Sequence, residues 1–120
     1  MATFNGVVGT QIISSKSVID GRHPAVVRIM EFLTENGVIP AGEIIAFDSD
    51  GKAVSYDPTG TAPLNAPIGV CTEEIDTAKD SAGNVLVHGC VLASSLLTLG
   101  TASTVSHKAA LESAKPIWIF

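Results

Sequence analysis

Glu43-Ile44-Ile45-Ala46-Phe47, then Asp48-Ser49-Asp50-Gly51, then Ala53-Val54-Ser55-Tyr56: two apolar runs meet across a turn signal. Asp-Gly between apolar runs is a strong short-range hairpin signal, because the turn needs positive φ angles that glycine adopts without steric cost. The same texture repeats outward. Pro67–Ile75 and Asn84–Leu92 are further apolar runs, set apart by Asp57-Pro58-Thr59-Gly60 and Lys79-Asp80-Ser81-Ala82-Gly83. Turn residues at such regular intervals predict a compact antiparallel β unit over residues 39–97. No catalytic set is built into it, and a small β module without chemistry of its own usually works by binding.

The flanks extend this unit. Residues 1–21 are rich in Gly, Ser, Thr, Asn and Gln, interrupted by Val7-Val8 and Ile12-Ile13. The segment is too polar to build a core, yet those pairs suit a strand. It reads as an N-terminal arm that pairs when offered a partner edge, ahead of a single β-rich domain over 22–120. Pro24 biases His23 toward extended backbone. Val26-Val27 and Ile29 then favour a strand over a helix in 25–33. Beyond Leu92, Ser94 or Ser95 is expected to cap a short helical turn holding Leu96, Leu97 and Leu99, with Gly100 ending it. Ser106 is expected to cap a helix over His107–Ala114, which Pro116 stops. Ile117-Trp118-Ile119-Phe120 reads as a final strand. Four large apolar side chains at a terminus call for docking, on the sheet or at a subunit interface.

A chain of 120 residues is one domain of ordinary size. It is 46% hydrophobic and 16% charged, against roughly 25% charged in average soluble proteins. Little polar surface is left to cover apolar side chains, so another subunit is expected to cover part of it. The net charge of −5, with the seven basic residues scattered, argues against nucleic acid. The apolar runs are too short to span a bilayer as helices, and no secretion signal is read at the N-terminus. Cys71 and Cys90 each sit inside an apolar run and read as small buried thiols. A bridge between neighbouring strands is the alternative, disfavoured where cytosolic thiols stay reduced.

Several groupings touch on chemistry and stop short of it. Asp48-Ser49-Asp50-Gly51 opens like a calcium loop, but the fifth, sixth and twelfth positions are Lys52, Ala53 and Thr59, so a hairpin turn is the better reading. His88-Gly89-Cys90 sets an imidazole and a thiol on one strand face, where zinc needs three or four ligands and neither Cys71 nor His107 completes a spacing motif. Cysteine with His23, His88 or His107 gives no nucleophile signature, and no Gly-x-Ser-x-Gly elbow or phosphate loop occurs. Glu73, Glu74 and Asp76 fit a solvated strand end. No enzyme activity, cofactor or metal is expected.

Ile39-Pro40-Ala41-Gly42-Glu43-Ile44-Ile45, Gly51-Lys52, Tyr56-Asp57 and Ala66-Pro67-Ile68-Gly69-Val70 together resemble the head decoration, or cement, proteins of lambda-like tailed bacteriophages. Glu73-Glu74-Ile75-Asp76-Thr77 and Val85-Leu86-Val87-His88-Gly89-Cys90-Val91 continue the resemblance, which covers residues 24–97 and rests on strand and turn order with short motifs. It implies a mainly β fold: a small antiparallel β-barrel-like or β-tulip domain with short helices and an extended N-terminal arm. It implies a homotrimer at threefold positions of the expanded head, made in the host cytoplasm and resident on the virion. The partners would be other copies of the chain and the major capsid protein, with neither nucleic acid nor membrane involved. Val7, Val8, Ile12 and Ile13 are then the candidate capsid contacts, and Ile117, Trp118, Ile119 and Phe120 the candidate subunit-interface or packing residues. The alternatives are another phage structural part, such as a head fibre base or tail protein, and a small ligand-binding β-barrel.

Overall fold

The computed structural model describes residues 18–20 and 24–120. The candidate contacts Val7, Val8, Ile12 and Ile13 lie outside the described residues, as does most of the expected arm. The fold is mainly β, with antiparallel sheets and, among the described residues, one α-helix.

Strands β1 (Ile19–Asp20), β2 (Val26–Glu31), β3 (Val38–Ile39), β4 (Ile44–Phe47) and β5 (Ala53–Ser55) come first. Next follow β6 (Gly69–Cys71), β7 (Ile75–Asp76) and the long β8 (Ala82–Val91). A 3₁₀ turn at Ala93–Ser95 leads into β9 (Leu97–Thr98) and β10 (Thr101–Ala102). Helix α1 (Val105–Ala114) and strand β11 (Ile117–Ile119) close the chain.

The main sheet is organised on β8. β4 pairs antiparallel with β5 and β6, and β6 with β8 through Val70↔Leu86 and Cys71↔Val85. β1 and β2 also run antiparallel to β8, while β11 runs parallel to it. The expected hairpin at Asp48–Gly51 is present. Asp48 Oδ1 accepts from the N–H groups of Asp50 and Lys52, both at 2.9 Å, and Gly51 adopts φ +82°. The carboxylate thus shapes its own turn.

Both faces of the sheet centre are covered. Ile44, Ala46, Val70, Leu86 and Val91 join Val18, Tyr56, Leu96, Leu111 and Ile117 in one apolar cluster. Ile45, Cys71 and Val85 join Phe32, Ile39, Ala53 and Ile75 in the other. This explains why Glu43–Phe47 reads as a continuous apolar run: a strand buried on both sides has no solvent face to mark with polar residues. The run Pro67–Ile75 divides into two strands, because Ile75 leaves the main sheet to pair with Ile39 in the small β3–β7 ladder.

Two expectations beyond Leu92 are corrected. Leu96–Leu99 is not helical: β9 and β10 form a hairpin whose two turn residues, Leu99 and Gly100, have φ +51° and +82°. Long-range partners outweigh local helix propensity here. Leu97 N–H donates to Gly42 O at 2.9 Å, and Leu96 is buried in the first cluster. The α1 cap is Thr104, not Ser106. Thr104 Oγ1 accepts from His107 N–H at 3.4 Å, and His107 Nδ1 accepts from Thr104 N–H at 3.3 Å, a reciprocal capping box.

Candidate interaction surface

The C-terminal strand separates by the two-residue period of extended chain. Ile117 is buried in the first cluster and Ile119 packs against it. Trp118 and Phe120 point the other way and are 43% and 52% exposed. The terminus is held by backbone: Phe120 N–H donates to Val91 O and Phe120 O accepts from Ala93 N–H, both at 3.0 Å. Glu112 Oε2 also accepts from Ile119 N–H at 3.2 Å. Trp118 and Phe120 are therefore presented on a fixed strand. The four terminal residues expected together at an interface or in packing thus fall into two inward-facing and two outward-facing side chains.

Trp118 does not stand alone. It is the register partner of Cys90, and its ring meets His88 edge-on at a centroid distance of 5.6 Å and an angle of 82°. His88 is in turn the register partner of Val26, which is half-exposed. Partners in a ladder share a face, so Val26, His88 and Trp118 form one strip across β2, β8 and β11. The ladder slips by one residue between Val26 and Val27, where β8 carries Val87 as an extra residue. A bulge of this kind re-aims the side chains that follow it. Here it puts His88 on the face opposite Leu86, while Val27 and Ile29 lie opposite Val26 by the two-residue period of the strand, and Ile29 is 78% exposed. Among the described residues β2 pairs with β8 alone, so its outer edge and much of its apolar surface are uncovered. The sequence predicted this strand but not that its valines and isoleucine would face outward, since periodicity does not distinguish a core strand from an edge.

The groupings weighed for chemistry occupy structural positions. Cys71 and Cys90 are both buried free thiols. β6 meets β8 at Val85 and Leu86, several residues before Cys90, so the two cysteines are not register partners. Cys71 Sγ–H donates to Glu73 O at 2.9 Å, and burial pushes the thiol up to about 11. His88 and Cys90 do share a face, and among the described residues no three His, Cys, Asp or Glu side chains converge as a metal site would require. His107 belongs to the helix cap and stands edge-on to Tyr56. Glu73 and Glu74 are exposed, and Glu73 Oε1 accepts from Asn84 Nδ2 at 3.0 Å. No helix among the described residues is long and apolar enough to cross a membrane.

One polar residue that sequence reasoning passed over is Glu43, only 3% exposed. Its Oε1 accepts from Gly100 N–H at 2.6 Å and its Oε2 accepts from the Ser55 hydroxyl. A buried carboxylate needs such donors. Glu43 thereby fastens the Leu99–Gly100 turn to β5. Its partners lie 12 and 57 residues away in the chain, so no local pattern announces them.

No protein-family model matches the chain, and a search of curated proteins finds no match.

Proposed function

We propose that the chain is a decoration protein of a tailed-phage head. It binds the expanded capsid as a homotrimer, at threefold positions, and stabilises the shell. The reading rests on the motif resemblance over residues 24–97. The observation that carries it further is the apolar surface fixed on rigid strands: Val26, Trp118 and Phe120 on one side and Ile29 on the other. An apolar surface of this kind on a small, sparsely charged protein marks contact with other protein. A trimer multiplies one modest capsid contact through effective concentration. It stabilises the shell because it binds the assembled lattice and not the separate coat subunits.

The test uses expanded heads of the parent phage, stripped of the protein, beside unexpanded heads and free coat subunits. The protein should co-sediment with expanded heads alone and raise the temperature at which they open. Equal binding to free coat subunits, or no binding to any of the three, overturns the proposal.

A further inference from the structure

Leu99 is an unusual residue for its position. The first place of a two-residue hairpin turn with positive φ at both residues is suited to Asn, Asp or Gly, because a Cβ is crowded there. Leucine takes it at φ +51° with its side chain 55% exposed. The strain and the exposure are both unfavourable for folding, and neither supplies core packing. Glu43 holds the turn from beneath through Gly100 N–H. Leu99 overhangs a shallow depression of about 380 Å³ whose other apolar lining comes from Leu33, Val54 and Leu64. Asp48 and Asp57 also line it. Each of these carboxylates uses Oδ1 for its own turn, Asp48 toward Asp50 and Lys52 and Asp57 toward Thr59 at 3.1 Å. Lys52, the nearest base in sequence, pairs with Glu31 and is also attracted by Asp48, while among the described residues Asp57 makes no ion pair and its charge is left at the rim.

We infer that this depression seats an apolar side chain carried on a Lys- or Arg-bearing stretch of the coat protein. The inference rests on the decoration reading and names the surface and the chemistry of its partner. The two carboxylates and the chain's net charge of −5 favour a basic partner over a second copy of the same acidic chain. The apolar walls supply the seat, and the rim charges supply orientation and association rate.

Two variants test it on stripped expanded heads. Leu99→Asn keeps a residue that accepts left-handed backbone and removes the apolar side chain. It should melt at the same temperature as the wild type or higher, keep the oligomer mass and bind heads about tenfold more weakly. The double variant Asp48→Asn with Asp57→Asn keeps both turn acceptors and removes both charges. It should bind more weakly at low salt and show a flatter dependence on ionic strength, because exposed charges are screened over roughly 8 Å at 0.15 M salt. Wild-type affinity in both variants overturns the inference. So does a change of oligomer mass in Leu99→Asn, which would assign the depression to a second copy of the chain. Failure of the wild type itself to bind heads removes the decoration reading and this inference with it, and that outcome is visible before either variant is made.

Discussion

Two buried residues carry the sharpest tests at the scale of single side chains. Cys71 sits in the second apolar cluster, and burial raises its thiol to about 11 from an ordinary value of 9.0. The folded state therefore keeps the proton after the unfolded chain has lost it. Stability from this group is fully present below pH 9 and falls between pH 9 and 11. Each pH unit separating folded from unfolded titration is equivalent to about 1.4 kcal/mol, so the full loss is roughly 3 kcal/mol. Urea melts across that range should show the decline in the wild type and a shallower one in Cys71→Ala, whose baseline stability is lower. Glu43 gives the second test. Glu43→Ala leaves Gly100 N–H and the Ser55 hydroxyl without their acceptor and should cost about 2–4 kcal/mol in chemical denaturation. Glu43→Gln keeps one acceptor oxygen and should cost less.

At the scale of elements, the last strand shows how one run of apolar residues serves two purposes. Ile117 faces the core, and Ile117→Ala should destabilise the fold by about 2–5 kcal/mol. Trp118 lies on the opposite face, half-exposed, over Cys90 and against His88. Trp118→Ala should change the unfolding of a separated subunit by roughly 1 kcal/mol, the scale of one aromatic pair. If the strip is a subunit contact, the same change should weaken the oligomer by more than that, seen as dissociation on dilution in light scattering. The β9–β10 hairpin makes a related point. Leu96, Leu97 and Leu99 look like a helical turn when read locally. Pairing across the fold, through Gly42 and Glu43, puts them in extended backbone instead.

For the whole molecule, the described residues bury both faces of the sheet centre and leave β2 and the C-terminal strip uncovered. An edge strand with exposed β-branched side chains invites pairing or aggregation unless something covers it. A stable subunit interface should bury on the order of 1,000 Å² or more. Light scattering after size exclusion should give a trimer, and a monomer at high concentration that stays monomeric on heads would contradict it. Val18 packs in the first cluster and Ile19 pairs with Val91, so a deletion that probes the N-terminal arm has to end at Ser17. The chain lacking residues 2–17 should keep its circular dichroism and oligomer mass yet bind expanded heads poorly. Undiminished binding would move attachment to the loops around Asp57–Ala66 and Thr77–Gly83.

The strands near the middle of the chain were legible because their signals are local. Asp48 to Gly51 makes its turn with its own side chain, and Ile44–Phe47 is legible as an apolar strand beside it, although its burial on both faces is not. The alternation in Ile117–Phe120 likewise already separates inward from outward residues, once the strand is known to pair. What the sequence did not contain is which partner each strand meets. The one-residue slip beside Val87 brings His88 onto the face of Val26 and Trp118, opposite Leu86. The pairing of Glu43 with Ser55 and Gly100 spans segments that meet only in the folded chain. Exposure of β2 follows from its place at the sheet edge, and edge and centre strands share the same two-residue period. Those features are set by long-range register and packing, so only the tertiary structure decided which apolar residues became core and which became surface.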